Sequence, residues 1–308
     1  MKKVSVSTPA STANLGAGFD CLGLALNLRN VVELWDVGRG TGLEIDIEGE
    51  GEDRLPTDSS NLIARAAERV FVKVGKRPGG LLRLHAINGV PLSSGLGSSA
   101  ATIVGGLVAA NALVEGGLTR EALLRLAYEL EGHADNAAAA LYGGLTLVSA
   151  AGSELMARAV PLPAVPAMRV VIALPALRLS TAEARAALPA QVPMADAVFN
   201  VGHALFTVEA LRSGDEALLR WAVGDRLHQP YRQKLIPGYA AVSAEAHKAG
   251  ALAVALSGAG PSLVAFANSR HAEIAAAMQA AFLANGLACR TFVLPVDRQG
   301  VQVSVVEG

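Results

Sequence analysis

The segment PLSSGLGSSAA, residues 91–101, places glycines and serines directly before a long apolar run with helical character. The first backbone N–H groups of a helix have no partner inside the helix, and the helix dipole adds partial positive charge there. Gly95 and Gly97 lack a Cβ, so a phosphate group can approach their backbone closely. Ser98 or Ser99 could cap the helix or offer a hydroxyl oxygen to a magnesium ion. The segment therefore predicts an anion site.

No lysine follows these glycines, which separates the segment from the GxxxxGK[ST] loop of common nucleotide hydrolases. The lysines of the chain all lie elsewhere, at Lys2, Lys3, Lys73, Lys76, Lys234 and Lys248. If the segment holds a triphosphate, we expect backbone amides, Ser98 and a metal ion to neutralise most of its charge.

Two alternatives exist for residues 91–101 when they are taken alone. One is a plain structural loop. The other is the dinucleotide fingerprint, because GLGSSA also matches GxGxxA. Against the fingerprint, the preceding strand should end near Ile87, which leaves a loop much longer than the tight turn of that motif. The nearest acidic residue downstream, Glu115, falls at the end of a helix rather than of a strand.

Three further segments carry residue types that could bind a small polar ligand. PASTANLGAGFDCLGLAL, residues 9–26, presents Asn14 and Asp20 on a glycine-rich loop, although a glycine turn with an Asx cap is the alternative. LSGAGPSLVAF, residues 256–266, sets Gly258 and Gly260 between two strands, where a simple hairpin-like turn would look the same.

The last of these segments is ELEGHADN, residues 129–136. It contains Glu129, Glu131, His133 and Asp135 within a few residues. Taken singly, the histidine would be a packing residue and a glutamate at a helix end would be solvated. Because several polar types cluster beside an apolar helix, the edge of a cleft is the better interpretation.

Composition limits the class of protein. The 308 residues carry a formal net charge of −1, and 52% of them are hydrophobic, so the chain can bury a large core and offers no charge footprint for nucleic acid or anionic membrane. Cys21 and Cys289 form neither a disulfide framework nor a metal site. The start MKKVSVSTP lacks the apolar core of a signal peptide, and the most apolar stretch, residues 100–114, is too short and interrupted to span a bilayer. We expect a cytoplasmic protein without nucleic acid or membrane partners.

The periodicity of apolar residues predicts a mixture of strands and helices in two halves, which is typical of an α+β protein with two domains. The segment from Ser153 to Pro166 is rich in proline and alanine and looks like a boundary. We therefore expect domains at residues 1–155 and 156–308.

The four segments, in this order and at this spacing, resemble the superfamily of galacto-, homoserine, mevalonate and phosphomevalonate kinases. The details NLGAGFD, HADN and YRQKLIP, with STAEAR at residues 180–185 and HQPYRQKLIPGY at residues 228–239, are similar to the homoserine kinase branch. The resemblance covers essentially the whole chain. It implies an N-terminal domain like ribosomal protein S5, a C-terminal ferredoxin-like domain, and ATP-dependent phosphorylation of L-homoserine on the route to threonine.

The resemblance also implies a role for individual residues. Residues that would bind ATP are Asn61, at the adenine, and Pro91, Leu92, Ser93, Ser94, Gly95, Leu96, Gly97, Ser98, Ser99, Ala100, Ala101, Gly258 and Gly260, around the phosphates. Ser98 and Glu129 would hold Mg²⁺, with Glu131 as the alternative ligand. Residues that would bind homoserine are Asn14, Asp20, His133, Asp135, Arg185 and Arg232, with the two arginines on the carboxylate.

The catalytic pair implied by the resemblance is Asp20 and Asn136. The mevalonate kinase branch is thought to use an aspartate as base, and the matching position here holds Asn136, which cannot accept a proton at neutral pH. Asp20 is therefore expected to orient the attacking hydroxyl, with late proton transfer to phosphate or solvent. Other kinases of the superfamily and a non-catalytic sensor remain alternatives, and a homodimer is possible.

Overall fold

The computed structural model describes residues 2–151, 154–160 and 168–307. The first half contains the strands β1 (Lys2–Ala13), β2 (Leu22–Asp36), β3 (Leu43–Gly49), β4 (Leu82–Asn88), β5 (Leu145–Ala151) and β6 (Glu154–Val160). Its helices are α1 (Leu62–Val74), α2 (Ser98–Leu113), α3 (Arg120–Glu131) and α4 (Asp135–Tyr142).

The second half contains the strands β7 (Arg169–Pro175), β8 (Ala253–Leu256), β9 (Leu263–Ala267), β10 (Cys289–Pro295) and β11 (Gln302–Glu307). Its helices are α5 (Thr181–Ala186), α6 (Met194–Ser213), α7 (Glu216–Ala222), α8 (Gln229–Arg232), α9 (Tyr239–Ala249) and α10 (His271–Ala284). Among the described residues, no helix has both the length and the apolar character needed to cross a bilayer.

The larger sheet has the order β11-β1-β2-β4-β3, and β5 extends it by pairing with β2 and with β6. All of these pairings are antiparallel except β3 with β4. Apolar residues of the sheet, such as Val6, Leu34 and Leu84, pack against α1 and α2 in one buried cluster. One face of the sheet therefore packs against α2, which begins at Ser98.

The smaller sheet has the order β10-β7-β9-β8 and is antiparallel throughout. In chain order its strands and flanking helices read strand, helices, two strands, helix, strand, which is the ferredoxin-like arrangement. Helices α9 and α10 cover one face around Val242, Ile274 and Phe282. The expected α+β class, with two sheets of these types, is confirmed.

The division of the chain at residue 155 stays a prediction. That point falls inside β6, which pairs with β5, and the final strand β11 returns to pair with β1. Within the proline- and alanine-rich segment, Ser153 and residues 161–166 lie outside the described part of the chain. Both β6 and β11 therefore belong to the sheet of the first half.

Candidate active site

The segment 91–101 forms the end of a loop and the beginning of α2, as its sequence predicts. The expectation that Ser98 or Ser99 caps this helix is wrong, because Gly97 is the N-cap residue, with φ of 65° and no side-chain cap. A Cβ at Gly97 would lie 2.2 Å from the hydroxyl oxygen of Ser11. Ser98 is the first helical residue, and its hydroxyl donates to the Val90 carbonyl at 3.2 Å. The first N–H groups of α2 therefore lack a side-chain cap, which is the geometry that favours an anion.

The second glycine turn, between β8 and β9, packs directly on the first loop. The Ser257 hydroxyl donates to the Gly95 carbonyl at 2.7 Å and lies 2.9 Å from the Thr12 hydroxyl. The Gly258 N–H donates to the Ala13 carbonyl at 3.1 Å. A Cβ at Gly95 would come within 2.3 Å of the Ser257 carbonyl oxygen. Gly95 therefore allows the two halves of the chain to meet at the loop before α2.

A cleft of about 410 Å³ runs across both loops, which is within the range of small-molecule sites. Residues of the predicted nucleotide site that line it are Asn61, Leu92, Ser93, Ser94, Gly95, Gly97, Ser98, Ser99, Gly258 and Gly260. Those that do not line it are Pro91, Leu96, Ala100 and Ala101. These four build the loop and the helix behind it, where Leu96, Ala100 and Ala101 are buried.

Some of the polar side chains in the predicted nucleotide site already form hydrogen bonds with other groups of the protein. The Ser94 hydroxyl donates to the Pro91 carbonyl at 2.7 Å, which holds the loop in shape. The Asn61 amide accepts from the Ile63 N–H at 2.9 Å and donates to the Pro56 carbonyl at 2.7 Å. Asn61 thus caps α1, and its contact with adenine stays a prediction. The cleft beside it is apolar, lined by Ile47, Leu55, Leu62, Ile63 and Ala86.

The two candidate metal ligands at the end of α3 lie on different sides of the helix. Glu131 lines the cleft, and its carboxylate accepts a hydrogen bond from the Ser99 hydroxyl. Glu129 lies outside the cleft, where it pairs with Arg69 at 2.7 Å on the surface. The structure therefore places Ser98, Ser99 and Glu131 at one cleft and Glu129 outside it, and the choice between the two glutamates as metal ligand stays a prediction.

At the other end of the cleft, Asp20 and Arg185 form a bidentate ion pair. The two nitrogens of the Arg185 fork donate to the two Asp20 oxygens at 2.8 and 2.9 Å. This partner raises the pKa of the Arg185 guanidinium. The Asn14 amide oxygen accepts from the Asp20 N–H at 3.0 Å, and the Asn14 amide donates to the Gly258 carbonyl at 2.7 Å. Asn14 thus ties the Asp20 loop to the second glycine turn.

Arg232 lies beside this pair and is 1% exposed. Its contacts are to neutral groups: Nε donates to the Ala184 carbonyl at 3.1 Å, and a terminal nitrogen lies 3.4 Å from the Gly258 carbonyl. Burial, together with the charge of Arg185, lowers the pKa of Arg232. Both guanidinium groups lie over the Phe19 ring, at 5.6 Å for Arg185 and 5.0 Å for Arg232. Because Asp20 neutralises Arg185, Arg232 supplies the net positive charge at this part of the cleft, which favours a carboxylate.

The remaining predicted residues, His133, Asp135 and Asn136, line the wall of the same cleft. Asp135 is buried and accepts from the backbone N–H of Asn136 at 2.8 Å. The Asn136 amide oxygen accepts from the Ser11 hydroxyl at 2.9 Å. His133 lies 3.5 Å from Asp135. Burial works against its charge, but the carboxylates of Asp135 and Glu131 outweigh burial and raise the pKa of His133 above 6.5.

Sequence reasoning missed several residues of this site. Ser11 and Ser257 hold Asn136 and Gly95 in place, and Phe19 supports both arginines. Ser180 and Thr181 also line the cleft. Ser11 and Phe19 lie within the motif 9–26 beside residues that were singled out, so a search of each motif's neighbours would have found them.

Two family profiles match this chain. The profile of the GHMP kinases N terminal domain matches residues 61–144, and that of the GHMP kinases C terminal domain matches residues 207–284. Together these ranges cover more than half of the chain, which therefore belongs to the GHMP kinase family, the galacto-, homoserine, mevalonate and phosphomevalonate kinases.

Similar proteins narrow the placement within the family. The homoserine kinase of Moorella thermoacetica is 45% identical over 298 residues, which are 97% of this chain and 99% of that one. That of Nostoc punctiforme is 42% identical over 302 residues, covering 97% of each. Homoserine kinase from Cytophaga hutchinsonii superposes with a TM-score of 0.88 at 33% identity, covering 98% of this chain and 97% of that one. Within the GHMP kinases, this chain belongs to the homoserine kinases.

A more distant structure shares the fold alone. The mevalonate kinase of L. major, in complex with R-mevalonate, superposes with a TM-score of 0.71 at 18% identity, and the match covers 97% of this chain and 96% of that one.

Proposed function

We propose that this protein transfers the γ-phosphate of ATP to the side-chain hydroxyl of L-homoserine and forms O-phospho-L-homoserine for threonine biosynthesis. One observation carries the proposal: a single cleft joins the uncapped start of α2 to a pair of arginines, one of them buried without a carboxylate partner among the described residues. A triphosphate fits the first end and an amino acid carboxylate fits the second. Family membership agrees with both.

The nucleotide end of the cleft neutralises phosphate charge without lysine. The first N–H groups of α2 are available to phosphate oxygens because helix geometry leaves them without partners. None of the described residues that line the cleft is a lysine. The apolar part of the cleft beside α1 is suited to the adenine ring.

A magnesium ion fits the oxygen donors that the structure brings together at this end. Glu131 supplies a carboxylate and Ser98 and Ser99 supply hydroxyl groups, which are hard ligands of the kind this ion prefers. Glu131 is the acidic ligand of this proposal. Bound there, the ion would supply positive charge to the triphosphate during transfer.

The acceptor end of the cleft matches the groups of homoserine. Arg232 would bind the carboxylate through charge-assisted hydrogen bonds, and Arg185, whose fork is paired with Asp20, would donate its remaining N–H groups to it. The buried carboxylate of Asp135 would bind the ammonium group, with His133 beside it. This arrangement favours an amino acid over mevalonate, which has a carboxylate and no ammonium group.

The transfer step relies on position and charge rather than on a strong base. Phosphoryl transfer passes through a loose transition state, so catalysis is mainly positioning and electrostatic stabilisation. Asn136 donates and accepts hydrogen bonds within the wall of the cleft, and it cannot take a proton. We infer that Asp20 orients the hydroxyl and that the proton leaves late, to phosphate or solvent.

A coupled assay that measures ADP release tests the proposal. Purified protein with ATP and Mg²⁺ is offered homoserine, mevalonate, galactose and serine in turn, and the product is identified by its mass. Turnover specific to homoserine would support the proposal. Turnover with mevalonate instead would assign another branch of the family, and no turnover with any alcohol would favour a sensor.

We also propose that the protein acts in the cytoplasm as a homodimer, with no nucleic acid or membrane partner. Support for the dimer comes from α6, which carries an exposed apolar stripe. Met194, Val198, Val201 and Leu205 are 78%, 65%, 64% and 67% exposed. Their spacing of four, three and four residues is the spacing of a helix seam, and we propose that the row packs against the same row of a second copy across a two-fold axis.

A further inference from the structure

The buried polar groups behind Arg232 form a chain that reaches the loop carrying Asp20. The chain contains Asp225, at the turn before α8, and His228, at the start of α8. The side chains of both are 0% exposed. Neither group contacts the substrate in the function proposed above.

Asp225 fixes the beginning of α8. Its carboxylate accepts from the backbone N–H groups of Leu227 at 2.9 Å, His228 at 3.0 Å and Gln229 at 2.6 Å. It also accepts from the amide of Asn200, on α6, at 2.7 Å. Because Asp225 satisfies these donors together, the backbone that carries both His228 and Arg232 has one defined position.

The two ring nitrogens of His228 point to opposite halves of the amino acid site. Nε2 lies 2.8 Å from the Gly16 carbonyl oxygen, on the loop that presents Asn14 and Asp20. Nδ1 lies 3.5 Å from a terminal nitrogen of Arg232. A carbonyl oxygen only accepts and a guanidinium only donates, so the contacts require one tautomer, with the proton on Nε2 and a free lone pair on Nδ1.

The rest of the surroundings keep the ring in this orientation. The Phe19 ring stacks on His228 with the centroids 5.2 Å apart, and Phe19 also supports Arg232. Burial lowers the pKa of His228, despite the nearby Asp225 charge, which favours the neutral ring. A neutral ring can accept from Arg232, whereas a protonated ring would repel it.

We propose that His228 is a positioning residue, which uses Nδ1 to aim the Arg232 guanidinium at the substrate carboxylate and Nε2 to tie that arginine to the Asp20 loop. The role matters because the other acceptors of Arg232 are two backbone carbonyls, that of Ala184 at Nε and that of Gly258 at the terminal nitrogen that also faces His228. His228 adds a side-chain acceptor, so that nitrogen lies between two acceptors. The proposal rests on homoserine binding at Arg232, as proposed above.

Two variants separate the contacts of the ring. His228→Asn retains an acceptor near the place of Nδ1, and His228→Gln retains a donor near the place of Nε2. We expect His228→Gln to raise the KM for homoserine by roughly ten- to a hundredfold, as the loss of a hydrogen bond to a charged group does. We expect His228→Asn to restore most of this loss. For both variants kcat and the KM for ATP should stay within about threefold of the wild type.

If His228 had a purely structural role, both variants would show a lower kcat and higher KM values for homoserine and ATP alike. That result would overturn the proposal. Equal KM values for homoserine in the two variants would do the same. If the wild-type protein fails to phosphorylate homoserine, the proposed function fails first, so the two failures are distinguishable.

NMR spectroscopy of the wild-type protein tests the proposal even if the variants do not fold. In protein labelled with ¹⁵N at histidine, the His228 ring should show a protonated Nε2 and an unprotonated Nδ1 near neutral pH. The Nδ1 signal should shift when homoserine is added. A protonated Nδ1, or a signal that does not respond to homoserine, would contradict the proposal.

Discussion

Arg232 is among the largest fully buried side chains of the described residues, and its hydrogen-bond acceptors are neutral. A buried charge without a counterion is unfavourable unless a ligand supplies the opposite charge. The carboxylate of the amino acid substrate would do so. Substitution of Arg232 is therefore a direct test of substrate recognition.

We expect Arg232→Leu to raise the KM for homoserine and to cost about 2–5 kcal/mol in binding, because the buried carboxylate loses its partner. Arg220→Leu, at an exposed arginine of α7, is the control and should leave the KM unchanged. Steady-state kinetics with varied homoserine measures both. An unchanged KM in Arg232→Leu would remove Arg232 from the substrate site.

Asp20 can be tested in the same way. Because we assign it to orienting the hydroxyl, Asp20→Asn should lower kcat by roughly ten- to a hundredfold while homoserine still binds. Single-turnover measurements with saturating ATP give the rate of the chemical step. A loss well above about 10²-fold would favour a base role, and full kcat would show that Asp20 has no part in the chemistry.

At the scale of the elements, helix phase decides which glutamate reaches the cleft. Residues two apart on a helix do not face the same side. Glu131 follows the buried Leu124 and Ala127 at spacings of seven and four residues, whereas Glu129 follows the exposed Arg125. The helical pattern of the sequence thus indicates that Glu131 rather than Glu129 faces the cleft, whereas motif similarity left both open.

We predict that Glu131→Gln raises the free Mg²⁺ concentration for half-maximal activity by roughly tenfold or more, because a charged ligand is lost. The matched variant Glu129→Gln, on the surface, should behave like the wild type. Initial rates over a Mg²⁺ titration at fixed ATP provide the comparison. If Glu129→Gln shows the larger shift, the assignment of the metal ligand is wrong.

The contact between the two glycine loops is expected to affect nucleotide binding. Gly95→Ala places a Cβ against the Ser257 carbonyl, so the loops must separate and the KM for ATP should rise by roughly tenfold or more. Gly117→Ala is the control for backbone strain, because Gly117 has a similar positive φ, 70° against 75°, and open space at its Cβ.

Thermal unfolding should show a loss from backbone strain of about 1 kcal/mol for Gly117→Ala and a larger loss for Gly95→Ala. Equal losses, with an unchanged KM for ATP in Gly95→Ala, would show that the contact between the loops has no role in nucleotide binding.

For the whole molecule, the strands and helices with clear periodicity were predictable, and the connections between the halves were not. Helices α1 and α3 have apolar residues at helical spacing in the sequence, and in the structure Asn61 and Thr119 cap them. The pairing of β11 with β1 joins residues about three hundred positions apart. Such a pairing depends on tertiary packing, which local pattern does not contain. For the same reason the sequence could not reveal that Ser257 reaches Gly95.

The apolar stripe on α6 gives the prediction for the whole assembly. Val201→Glu introduces a charge at the middle of the proposed seam. It should therefore raise the dissociation constant of the dimer by roughly tenfold or more and shift the protein toward the monomer. Light scattering after gel filtration measures the mass. Val72→Glu makes the same change of charge at a valine of α1 that is also 64% exposed, and it is the control. A wild-type protein that is monomeric at all concentrations would contradict the dimer.

The most direct test is a crystal structure of the protein with homoserine, Mg²⁺ and a non-hydrolysable ATP analogue. We predict that the triphosphate binds to the backbone of residues 95–99, at the start of α2, and that the homoserine carboxylate lies between Arg185 and Arg232. A triphosphate bound away from this loop, or a carboxylate that contacts neither arginine, would contradict it.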